Sequence, residues 1–120
     1  MLTEIHRQRY LELKQVLEQM QQTVAMPFPD LSRTQQNLLE IQQFFQQIIG
    51  SLNINALERA DEAWVQSYQT EMSKQLHLLG MDVMFLQAAR QSETIQQRQT
   101  QIRDRLQTLI GYCEALLEGE

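Results

Sequence analysis

Between Leu2 and Ala25, the apolar residues Leu13, Val16, Leu17, Met20 and Val24 recur at three- and four-residue steps, while Glu12, Lys14, Gln15, Gln19 and Gln22 fill the remaining positions. This spacing predicts a first amphipathic helix. Met26-Pro27-Phe28-Pro29-Asp30 must end it, because proline lacks a backbone donor and disfavours helical geometry in the residue before it. Within this stiff connection Phe28 is expected to staple the loop onto the core rather than stand out as an aromatic anchor. Asp30 or Ser32 can cap a second helix, with Ser32 and Gln35 spaced as a capping box. That helix runs to about Gly50, its stripe of Leu38, Ile41, Phe45, Ile48 and Leu52 widened by Leu39, Phe44 and Ile49.

Gly50-Ser51 and Asn53-Ile54-Asn55 are turn-formers, and a third helix is predicted from near Ala56. Leu57, Ala60, Trp64, Tyr68, Met72, Leu76, Leu79, Val83, Leu86 and Ala89 keep helical spacing throughout, with a kink expected at Gly80. After Arg90–Thr94, where Ser92 can cap, Ile95, Ile102, Leu106, Leu109, Cys113 and Leu116 mark a fourth helix that ends before Gly119. Four amphipathic helices with short connections predict an all-α fold: a four-helix antiparallel bundle spanning 1–120 as one domain, with long third and fourth helices. A second helix of about 18 residues beside a third of about 34 implies an overhang of roughly 20 Å.

Composition supports helix, with 21 glutamines, four glycines and two prolines among 120 residues. A net charge of −5 disfavours nucleic acid as a partner, since phosphate binding draws on clustered Lys and Arg. The lone Cys113 can form no intrachain disulfide, which fits a reducing, cytoplasmic compartment. The start of the chain lacks a signal-peptide pattern, and Leu76–Ala89 is shorter than the ~20 apolar residues needed to span a bilayer, so no membrane insertion is expected.

Neither His6 nor His77 follows a Glu at the spacing that di-iron bundles use, so no metal and no cofactor are expected. His6 reads as an exposed first-turn residue, and His77 as the partner of a neighbouring polar group. Cys113 lies on an apolar stripe, where burial predicts an inert thiol, and the isolated glycines build no phosphate loop. An enzyme is not expected.

Two features point to protein contact. Leu78, Met81, Met84, Phe85 and Ala88 lie outside the main stripe of the third helix, so apolar positions occupy most of its circumference. Either three neighbours inside the bundle cover them, or a second copy or a partner does; flexible methionines suit an adaptable contact. Arg90, Arg98, Arg103 and Arg105 also cluster in sequence, as a solvated face or as a patch that steers an acidic partner. Met81, Met84, Phe85, Arg90, Arg98, Arg103 and Arg105 are therefore the candidate partner-binding residues.

Ser67-Tyr68-Gln69-Thr70-Glu71, Lys74-Gln75-Leu76, the run from Leu78 to Arg90 (LLGMDVMFLQAAR) and Tyr112-Cys113-Glu114-Ala115-Leu116-Leu117 carry a resemblance, with a fainter likeness over Glu4–Leu13 (EIHRQRYLEL). In these segments the chain resembles the family of the cyanobacterial heterocyst frequency control protein PatD. The resemblance implies a cytoplasmic, non-enzymatic regulator of heterocyst frequency that contacts the cell-division protein FtsZ. The residues alone leave open a self-assembling bundle whose overhanging third and fourth helices pair as a homodimer, or an adaptor for another protein.

Overall fold

The computed structural model describes residues 4–50 and 62–118 in full, and the backbone also at 51 and 59–61. Four helices account for nearly all of these residues: α1 (Glu4–Val24), α2 (Leu31–Ser51), α3 (Arg59–Ala88) and α4 (Ser92–Glu118). Each helix packs on its two neighbours in the ring α1, α2, α3, α4, and α4 closes back on α1. The result is an antiparallel bundle of about 50 × 20 × 19 Å. Among the described residues, the seam between α2 and α3 is the most thinly packed of the four.

The apolar stripes decide which faces turn inward. Leu13, Leu17, Met20 and Val24 of α1 meet Ile41, Phe45 and Ile48 of α2, Met72, Leu76, Leu79, Val83 and Leu86 of α3, and Ile102, Leu106, Leu109, Cys113 and Leu116 of α4. All are buried, and Val65 and Ile110 join them. Toward the end where α1 begins, Trp64, Tyr68 and Tyr112 close the core as two edge-to-face ring pairs, each with centroids 5.7 Å apart. Tyr10 is fully buried there and accepts a hydrogen bond from Gln69 Nε2 at 2.9 Å. Without that donor its hydroxyl oxygen would sit desolvated.

Polar ties complete the helix ends. The Gln99 side-chain amide of α4 donates to the carbonyls of Val24 (3.0 Å) and Met26 (2.6 Å), serving acceptors that the end of α1 leaves open. Asp30 caps α2: its Oδ1 accepts from Arg33 N at 3.1 Å, and its carbonyl accepts from Thr34 N. Ser32 lies inside the helix, so the capping box with Gln35 is not the one used. At α4 the first helical bond runs from Ile95 N to the Gln91 carbonyl, which gives Gln91 the cap position and puts Ser92 one residue inside.

Several boundaries differ from the sequence reading. Gly50 and Ser51 continue α2 rather than turning the chain, and α3 passes through Gly80 as one helix. Over the described residues α2 has 21 residues and α3 has 30, a length difference of ~13 Å. Asn53–Asn55, Ala56, Leu52, Leu57, Ala60 and the two chain ends, with Leu2 and Gly119, lie outside the described residues or their described side chains. No helix among the described residues is long and apolar enough to cross a membrane.

Leu106, fully buried on α4, tests this account of the core. Leu106→Ala should lower the unfolding free energy by about 3 kcal/mol in urea titration, through lost transfer energy and an unfilled cavity. Gln97→Ala, at an exposed position of the same helix, should change it by less than about 0.5 kcal/mol.

Candidate protein-contact face

On α3, Leu76, Leu79, Val83 and Leu86 point into the core. At about 100° per residue, Leu78, Met81, Phe85 and Ala88 must then point outward, with Met84 toward α2. Met84 is 66% exposed, Phe85 44% and Met81 41%, so the bundle leaves this second apolar stripe only partly covered. Gln42 of α2 packs against Gly80, and the antiparallel pairing puts Leu39, one turn earlier on α2, about level with Met84. Leu39 is also exposed, which extends the apolar surface across the thin α2/α3 seam.

The arginines do not form one patch. Arg98 lays its guanidinium over the Phe85 ring, 4.6 Å from the centroid, and makes no ion pair among the described residues. It flanks the exposed stripe. Arg105 faces the same side of α4 but is withdrawn: its Nε donates to Asp82 Oδ2 at 2.6 Å, and its Nη1 donates to Gln75 Oε1 at 2.9 Å. Both members of that pair are largely buried, so Arg105 serves the α3/α4 packing and is not offered to solvent. Arg103 points toward the α1 side, beside Gln21 and Gln107, and Arg90 is exposed in the loop after α3. The cluster in sequence thus becomes two faces and a loop in space. Arg98 and Arg105 are seven residues apart and share a side, while Arg103 lies about 140° from Arg98.

A second feature occupies the end of the bundle that carries the two short loops. Phe28, Leu31, Leu86, Ala89, Ile95 and Gln99 are among the walls of an apolar notch of about 380 Å³. Phe28 does not staple its loop onto the core as expected; it stands 94% exposed at the rim. Pro27 and Pro29 fix the backbone on either side, and the ties to Met26 and from Asp30 hold the loop at both ends. The backbone is thus restrained on both sides of Phe28, and its ring stands off the core.

The titratable groups elsewhere point to packing. Burial pushes the Cys113 thiol up to about 12, and the Tyr10 phenol likewise to about 12 despite its bond from Gln69. Neither ionises near neutrality. His6, expected on the surface, is only 3% exposed, and burial lowers its pKa below the ordinary 6.5. The sign was the spacing: Tyr10 and His6 continue the α1 stripe back from Leu13 at three- and four-residue steps, which puts His6 on the buried face. His77 is exposed on α3 beside Ser73 and Lys74. Among the described residues no three His, Cys, Asp or Glu side chains converge as a metal site.

A family model described as the CRR41 C-terminal domain matches residues 14–113. No curated protein and no solved structure matches the chain.

The buried pair and the buried histidine each give a measurable outcome. Arg105→Ala should destabilise the bundle by about 3 kcal/mol in denaturant titration, since it strands a buried Asp82 carboxylate, whereas Arg103→Ala should cost under about 0.5 kcal/mol. Burial lowers the His6 pKa in the folded chain below the 6.5 at which the unfolded chain protonates it. The unfolded state therefore binds more protons below that pH, and stability should fall as pH drops from about 7 toward 5. His6→Gln should flatten that dependence in thermal melts.

Proposed function

We propose, from the premise that the chain belongs to the CRR41 C-terminal domain family, that it is a non-enzymatic regulatory protein of the cytoplasm that acts by gripping a protein partner. Within that reading it is a PatD-type modulator of heterocyst frequency, and the partner is FtsZ. The partner rests on the resemblance carried by Ser67–Leu117.

The observation that supports a contact function is the second apolar stripe of α3. A core already filled by one face of that helix has no use for Met81, Met84 and Phe85 on the other, and leaving them in water costs free energy that a partner would recover. Methionine side chains adapt to an incoming surface, and an arginine held over Phe85 offers five donors to a carboxylate at its edge. Binding would therefore combine an apolar centre with a charged rim, the anatomy of transient protein interfaces.

Sedimentation of FtsZ polymers from the same organism tests this directly. The protein should pellet with the polymers or change their yield, and Met84→Asp or Phe85→Asp should weaken that effect about tenfold or more while the circular dichroism spectrum is kept. Arg98→Glu should weaken it less and make it less sensitive to salt. Absence of any effect on FtsZ rejects this partner; wild-type behaviour of Met84→Asp and Phe85→Asp rejects this face.

A further inference from the structure

The loop end of the bundle carries a knob and a hole on the same surface. Phe28 projects almost fully into solvent, and beside it the notch walled by Leu31, Leu86, Ala89 and Ile95 stays open. Phe28 borders its own notch without filling it. Gln99 grips the loop at Met26, Asp30 caps α2 two residues after Phe28, and the two prolines fix the backbone between these points. We propose that two copies of this chain associate through this end, each seating Phe28 in the other's notch.

Size, area and charge support a second copy as the occupant. A cavity of about 150 Å³ already accepts benzene, so a notch of about 380 Å³ has room for a phenyl ring with the edge of a flanking proline. A two-fold contact needs one self-complementary patch, and a knob next to its own hole supplies it. Met26, Phe28, Leu31 and the notch walls offer roughly 500 Å² per copy, using typical side-chain areas. This is below the ~800 Å² per partner of a standard interface, which places the dimer in the weak, concentration-dependent class.

The chain as a whole carries −5, which opposes self-association, yet the exposed charges around this end are Asp30 and Glu93 against Arg33 and Arg90. Both signs are present in equal number, so two copies meet here without net repulsion, and a two-fold axis lets the basic groups of one face the acidic groups of the other. The contact is separate from the α3 stripe, because neither Met81 nor Met84 lines the notch. It stands or falls independently of FtsZ binding.

The test is equilibrium sedimentation of the purified chain alone from about 1 μM to 1 mM. The wild-type mass should rise from 14.2 kDa toward twice that value. Phe28→Ser, which removes a solvent-facing ring and should keep the circular dichroism spectrum and melting temperature, should associate at least tenfold more weakly. Ala89→Phe should fill the notch with the same effect. Mixing the two variants should restore part of the association, because one intact Phe28 then meets one intact notch. A wild-type protein that stays at 14.2 kDa throughout, a Phe28→Ser variant that dimerises normally, or a mixture no more associated than its components would each overturn the proposal.

Discussion

An arginine and a glutamine six residues apart on α4 hold that helix in register with both of its neighbours. Arg105 reaches into α3 to pair with Asp82 and Gln75, and Gln99 reaches across to the end of α1. Apolar packing alone tolerates sliding, since one leucine fits a hole much as the next does. A buried charge pair does not, because displacing either partner by a turn leaves it desolvated and alone. With α4 fixed on both sides, the outward direction of α3 is fixed too, and so is the loop that carries Phe28. The surfaces available for contact are consequences of polar bonds made inside the bundle.

That division explains why the fold was easier to read than the surface. The stripes of α1 and α4 were legible because each apolar position recurs within one helix, and burial follows period. Val65 and Ile110 were overlooked only as members of stripes already found. The fate of Arg105 was less accessible: its partner Asp82 lies 23 residues away in another helix, and local charge counting cannot pair them. A helical wheel carried part of the answer, since Arg98 and Arg105 share a side that Arg103 does not. Gln99 was lost among 21 similar residues, and nothing in its neighbourhood marked it as the one that serves the carbonyls of another helix.

The second face of α3 was visible as an excess of apolar residues, but sequence could not say whether the bundle itself absorbs it. The answer depends on how many neighbours α3 has and how closely each packs. It has two, α2 and α4, and α2 packs thinly, so the excess remains outside. Phe28 went the other way from expectation: its loop is tied at Met26 and Asp30, and the ring stands in solvent at the rim of the notch.

The thin α2/α3 seam has a kinetic meaning. Cooperative units of a native protein open in order of how little they lose by opening, and α2 leaves only its contacts with α1 intact if it swings away from α3. Amide protons on the α3-facing side of α2 would then exchange with solvent ahead of those on α4, which is clasped on both flanks. In such an opening the hinge would run along the α1/α2 seam, and the apolar surface shared by Leu39 and Met84 lies on the edge that parts.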